Sequence, residues 1–228
     1  MPEARDHGPL PPLLVLLTIM AGLVDSVSYL VLGTVFVANM TGNIIFLGLG
    51  LGGGPGVVGK ILSIALSVTC FCAGAATGGH AAFNGITHRG RLLGAATATQ
   101  ACALAVTALI VTGLDHVGDP RRQVAIGVLA VSMGWQYAIV RRLEVPDFRT
   151  VVVTTTLTSL VADKAEVKER VVRRGLSVAA LLLGAAVGAV LVQNVSVAAP
   201  LWCATGVLVV VASAAFITAR RPNADTWR

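Results

Sequence analysis

Hydrophobic residues run along this chain in long blocks, without the apolar/polar alternation of half-buried strands or the one-sided stripe of a surface helix. Eight blocks can be marked, at residues 13–32, 36–51, 57–80, 92–113, 123–140, 150–162, 175–193 and 198–219. Crossing a hydrocarbon core of about 30 Å takes roughly 20 helical residues, and six of the blocks approach or exceed that length. The blocks at 36–51 and 150–162 would reach only about 24 and about 20 Å as helices. The pattern therefore predicts an all-α polytopic membrane protein, a single membrane domain with six transmembrane helices and two short re-entrant or broken half-helices.

The distribution of Lys and Arg decides how the short blocks are treated, because cytoplasmic loops collect these residues. If both short blocks leave and return on one side, fourteen Lys and Arg fall on the cytoplasmic face and three, Lys60, Arg121 and Arg122, on the other. If both span fully, the division is twelve to five. The re-entrant arrangement, with both termini cytoplasmic, fits better. It has a topological consequence. Residues 13–113 and 123–219 each read span, short block, span, span. Three spans is an odd number, so the second repeat lies upside down relative to the first. Laid over each other, the halves place Asp25 opposite Gln136 and Met40-Thr41-Gly42-Asn43 opposite Val153-Thr154-Thr155-Thr156. Such a 3+3 inverted repeat with interrupted helices is a transporter architecture, its ligand site near the midplane where the broken segments meet.

Polar residues inside these blocks are the candidates for chemistry. Asp25 is an acid well inside the first span, where an ionised carboxylate is expensive unless it faces a partner or water. Thr18, Gly22, Asp25, Ser26 and Tyr29 share its helical face, which predicts that this face turns toward protein or a cavity. Asn39, Met40, Thr41, Gly42 and Asn43 stand before a short helix whose N-terminus would present unpaired N–H groups to a ligand. Capping of those groups is the usual role of Asn and Thr there, and the two roles are compatible. Thr154, Thr155 and Thr156 occupy the equivalent block of the second half, and Gln100 and Gln136 sit deep in the third and fourth spans as interhelical hydrogen-bonding residues first and ligand contacts second. Gln136 with the three threonines forms the inverted counterpart of the site. Lys60, Ser63, Ser67, Cys70, Gly74 and Thr77 line one face of the second span. The pairs Gly74/Gly78 and Gly184/Gly188 have the spacing of close helix packing. Arg141, at the cytoplasmic end of the fourth span, is a candidate gate.

Composition sharpens this picture. With 55% hydrophobic and 12% charged residues, the chain lies far from soluble averages. The net charge of +6 would suggest nucleic acid in a soluble domain, but the cations sit in loops and tails without interleaved aromatics, so no nucleic-acid partner is expected. Cys70, Cys72, Cys102 and Cys203 all fall inside apolar runs without metal or disulfide spacing, and are read as small buried residues. The first apolar run meets Asp25 where a signal peptide would carry a small-residue cleavage site, and it is read as a retained span. His7, His80, His88 and His116 form no metal-binding pair, and no nucleophile motif is evident. Neither an enzyme nor a cofactor or metal is expected.

The runs DSVSYLVLGTVFVANMTGN, GWQYAIVRRL and VVVTTTLTSL resemble the YoaK family of bacterial inner-membrane proteins, over essentially the whole chain. The resemblance implies about six spans and an inner-membrane location but no substrate. It supports importance for Asp25, Asn39, Thr41, Gly42, Asn43, Gln136 and Arg141. At Thr155 the sequence departs from an expected Thr-Gly pair echoing Thr41-Gly42, which would narrow that half of a site.

The expected function is a transporter or permease for a small polar solute or ion, in the bilayer of the bacterial inner membrane, with Asp25 as a proton- or cation-coupling carboxylate. The alternatives are a channel-like pore and a non-transporting scaffold or partner subunit, and a homo-oligomer is compatible with each. A topology reporter placed in residues 163–174 is expected to read cytoplasmic; a periplasmic reading would remove the re-entrant arrangement and the inverted repeat with it.

Overall fold

A backbone surrounded by hydrocarbon must close its own hydrogen bonds, which a helix does within one segment and an open sheet cannot. The computed structural model describes residues 9–81, 88–112, 120–143 and 168–220, and its regular elements are all helical. They are α1 (Leu10–Leu30), α2 (Met40–Leu51), a 3-10 turn (Val58–Lys60) leading into α3 (Ile61–Ala76), a π-helical turn (Thr77–Ala81), α4 (Arg89–Thr112), α5 (Pro120–Arg142), α6 (Lys168–Asn194) and α7 (Ala199–Thr218). Prolines stand in the first turn of α1, α5 and α7, where a missing N–H costs no helical hydrogen bond. The second short block, with Thr154, Thr155 and Thr156, lies outside the described residues.

Six of these helical stretches are long and apolar enough to cross a membrane, and α2 is a shorter apolar helix of 12 residues. At 1.5 Å per residue α2 reaches about 18 Å. Buried leucines, isoleucines and methionines such as Leu17, Met20, Leu93, Leu104, Ile126, Leu129 and Met133 meet in the interior. Leu62, Leu109, Leu182, Val190, Val210 and Ile217 are exposed on the outside. A water-facing surface would not carry so much contiguous apolar area; facing lipid tails, it is the expected surface.

The helices associate in a definite pattern. α1 lies along α6 and α7, α3 along α5, and α4 along α5 and α7, while α2 packs on α3. Lipid tails are as apolar as leucine, so helices in a membrane are held by close packing more than by the hydrophobic effect, and small residues permit it. A Cβ on Gly74 of α3 would fall 2.0 Å from the Val131 carbonyl oxygen of α5, and one on Gly134 of α5 2.0 Å from that of Phe71. Between α1 and α6, a Cβ on Gly184 would fall 2.1 Å from the Ile19 oxygen, and one on Gly22 2.5 Å from that of Leu181. Backbone meets backbone at both seams, as the Gly74/Gly78 and Gly184/Gly188 spacing anticipates.

The cysteines depart from expectation. Cys72, Cys102 and Cys203 are exposed and Cys70 is partly so, all four as free thiols. Lipid tolerates a small weakly polar side chain on its own side, so an apolar neighbourhood in sequence did not imply burial within the bundle.

Gly134→Ala and Gly184→Ala are each expected to lower stability by about 1–3 kcal/mol through forced separation of the helices. Gly206→Ala in α7, with open space around its Cβ position, should be near neutral. Thermal denaturation in detergent compares them, and equal melting for all three would contradict the close-packed seams.

Candidate functional site

The chain between α1 and α2 has no helix to satisfy its backbone, and that need organises the site. α1 closes with the Thr34 amide donating to the Tyr29 carbonyl at 2.9 Å, across a reversal with Gly33 at φ +109° and Thr34 at φ +60°. A non-glycine residue in that region is strained, and the Thr34 hydroxyl accepts a hydrogen bond from the Lys60 ammonium at the foot of α3. Beyond the reversal, Leu32, Val35 and Val37 are fully buried. Their backbone thus runs through apolar surroundings without a ladder partner, a costly situation unless side chains supply hydrogen bonds.

Asp25 supplies two of them. Its Oδ1 accepts from the amides of Val37 at 3.0 Å and Ala38 at 2.9 Å, so the last turns of α1 hold the returning chain. Asp25 is partly exposed as a residue, and its Oδ2 stands outside these two bonds. Asn43 supplies the rest. Its Oδ1 accepts from the Phe36 amide at 3.0 Å, its Nδ2 donates to the Phe36 carbonyl at 2.6 Å, and the same Nδ2 donates to Ser67 Oγ on α3 at 3.2 Å. Ser67 Oγ also donates to the Phe36 carbonyl, at 2.6 Å. The Phe36 ring stacks with those of Tyr29 and Phe46, at centroid distances of 5.1 and 6.1 Å. A Cβ on Gly42 would fall 2.9 Å from Phe36 Cδ2, so this glycine makes room for the ring.

The sequence-derived site residues therefore divide. Asp25 and Asn43 come together on one segment, Phe36–Ala38, from two helices. Asn39 is the N-cap of α2, its side chain accepting from the Gly42 amide at 3.4 Å. Met40, Thr41, Gly42 and Asn43 form the first turn of α2, where the sequence had placed them ahead of it. Thr41 is exposed there. Gln136 belongs elsewhere: its Oε1 accepts from Gln100 Nε2 at 2.7 Å, between α4 and α5. Arg141 is exposed in the last turn of α5, away from the α1–α2 segment.

Phe36 and Ser67 were not singled out as site residues, although Ser67 stood on the polar face of the second span. That face serves two neighbours. Ser63 accepts from Gln123 Nε2 of α5 at 2.8 Å, and Gly74 meets Val131, while Lys60 and Ser67 turn to the α1–α2 segment. A cavity of about 600 Å³ opens beside it between α3, α4 and α5, lined by Leu66, Gln100, Val124, Val128, Val131 and Ser132 among others. The Ser132 hydroxyl there is buried without a hydrogen-bond partner.

Six stretches long and apolar enough to cross a membrane, one of them α1 with a carboxylate before the break and a short apolar α2 after it, define a polytopic α-helical membrane protein. The chain belongs to the family described as "Protein of unknown function (DUF1275)", which matches residues 13–214. It is 33% identical over 161 residues to the "UPF0700 transmembrane protein YoaK" of Bacillus subtilis (strain 168), a match spanning 66% of this chain and 65% of that protein's length. The matched part is thus just under two thirds of the relative. No solved structure matches the chain.

Asn43→Ala would leave the Phe36 amide and the Ser67 hydroxyl without their Asn43 partner. It is expected to destabilise by about 2–4 kcal/mol, against about 1 kcal/mol for removing the Asn39 cap in Asn39→Ala. Thermal denaturation ranks the two, and the reverse order would contradict this account of the segment.

Proposed function

We propose that this protein is a secondary transporter or permease for a small polar solute, working without enzymatic chemistry. The observation that carries the reading is the half-buried Asp25 at the helix break, one oxygen holding two backbone amides and the other outside those bonds. Intramembrane carboxylates at interrupted helices are where transporters bind substrates and coupling ions. In this reading Asp25 carries the coupling proton or cation. Asn39, Thr41 and Asn43 border the solute, with Gln136 and Thr154, Thr155 and Thr156 as the counterpart in the second half and Arg141 as a gate.

The inverted repeat has support in how the helices pair. Exchange α1 with α5, α3 with α6 and α4 with α7: the α1–α6 seam maps onto α5–α3, α1–α7 onto α5–α4, and α4–α7 onto itself. The glycines follow the same exchange. Gly184 against Ile19 corresponds to Gly74 against Val131, and Gly22 against Leu181 to Gly134 against Phe71. Gly188 against Leu23 and Ser26 corresponds likewise to Gly78 against Trp135 and Ala138. This register sets Tyr137 opposite Asp25, one residue along from the Gln136 suggested by the sequence overlay. The re-entrant reading of α2 is supported by the Lys60–Thr34 bond, which puts the start of α3 at the end of the bundle where α1 finishes. Arg122, at the start of α5, also lies there against Gly33, so α1 and α5 run in opposite senses. In this reading both termini lie in the cytoplasm and the protein in the inner membrane, which the excess of Lys and Arg on the other face supports as to orientation.

A scaffold without transport is the second reading, favoured by the satisfaction of Asn43 within the fold. Asp25→Asn separates the two. An asparagine Oδ1 can still accept from Val37 and Ala38, so the substitution removes the charge and spares the geometry. Expected is a melting temperature close to wild type with saturable uptake into proteoliposomes abolished, the solute having been found by a thermal-shift screen of metabolites and ions. Non-saturating flux that survives the substitution would favour a pore; altered stability with no flux in either protein would favour the scaffold.

A further inference from the structure

Beside the Asp25 segment, at the end of the bundle where α1 finishes, two cations converge on the same short reversal. Lys60 donates to the Thr34 hydroxyl, and Arg122 Nη1 comes within 4.0 Å of the Cβ position of the neighbouring Gly33. Neither cation meets a carboxylate among the described residues. Asp25 is the only acid among the residues whose side chains are described, and its Oδ1 is engaged by Val37 and Ala38. Arg122 Nε is buried without a hydrogen-bond partner. A partly buried guanidinium with no counter-charge from the described residues leaves a strong donor unused.

We infer that Lys60 and Arg122, which approach the adjacent residues Thr34 and Gly33, form with the Thr34 hydroxyl a binding site for an oxyanion, a phosphate or a carboxylate. The chemistry matches such a ligand group by group. The guanidinium offers a planar fork suited to two oxygens of one anion. An ammonium has three donors, and Thr34 takes one of them, leaving two. The Thr34 hydroxyl, accepting from Lys60, keeps its own proton to donate. At the positive φ of Thr34 its hydroxyl meets Lys60 at the foot of α3. Lys60 also holds the beginning of the segment whose end Asp25 holds, so a ligand bound there would touch the element that forms the break. This inference rests on the transporter reading only for its meaning, which is that the solute carries a negative group and is met first at the periplasmic mouth. Binding itself does not depend on transport.

The test uses the full chain in phosphatidylcholine nanodiscs at constant ionic strength, titrated with inorganic phosphate and, separately, with acetate, and read by thermal shift and calorimetry. Lys60→Gln and Arg122→Gln are expected to weaken phosphate binding about 10- to 100-fold each, with Arg121→Gln unchanged. Lys60→Arg and Arg122→Lys keep the charge and should recover part of the affinity, which separates lost binding from lost folding. If soluble phosphate fails to bind but anionic phosphatidylglycerol nanodiscs stabilise wild type and not the two Gln variants, the site stands and its oxyanion is a lipid headgroup. Equal response of all variants to both anions and both lipids overturns the proposal. So does phosphate binding that appears only after Asp115→Asn or Asp119→Asn, since the cations would then already be paired within the chain. Anion uptake that persists in both Gln variants sinks this site and leaves the transporter reading intact; binding without uptake does the reverse.

Discussion

Inside a bilayer an unpaired peptide group has no water to turn to, and the stretch between α1 and α2 places several such groups beside fully buried side chains. Two backbone amides go to Asp25, one amide and one carbonyl go to Asn43, and Ser67 shares that carbonyl. These bonds join α1, α2 and α3 through one segment. Remove them and the break would have to become helix or leave the membrane. The short length of α2, the seat of the Phe36 ring against Gly42 and the approach of Lys60 to Thr34 all follow from chain held in this path.

The rest of the bundle is held differently. At the α1–α6 and α3–α5 seams, glycines let backbones touch, and the favourable terms are dispersion and shape. Such seams are stiff, because no side chain can flex to absorb a shift. The interrupted segment is the opposite: its hydrogen bonds run through side chains that have alternative rotamers and, for Asp25, alternative charge states. Among the described residues, close-packed seams and a polar interrupted segment thus divide the bundle between them.

The same bonds explain why structural and functional roles of Asp25 are hard to separate by inspection and easy to separate by substitution. A residue serving only as glue would need no charge, since an amide oxygen accepts from Val37 and Ala38 as well as a carboxylate oxygen does. A carboxylate inside a membrane span is a costly choice for that task alone. Lys60 and Arg122, which meet no carboxylate among the described residues, approach the chain at Thr34 and Gly33, before the two amides that Asp25 holds.

Block lengths and local spacing were enough to read six spans, one short helix after Asn39 and the glycine pairs at the seams, because the bilayer imposes those features on each segment by itself. Asp25 and Asn43 were legible as special for the same reason: a polar residue in an apolar block needs a partner whatever the fold. What that partner would be was not legible. Only tertiary structure decided that Asn43 reaches back to Phe36 and across to Ser67, that Gln136 pairs with Gln100 and not with the Asp25 segment, and that Lys60 and Arg122 meet at Gly33 and Thr34. It also decided that Cys72, Cys102 and Cys203 face outward. Hydrophobicity is a property of each residue and its length of chain, so sequence carries it; a hydrogen-bond partner or a lipid-facing azimuth depends on which helix lies alongside, and that is set by packing between segments far apart in the chain.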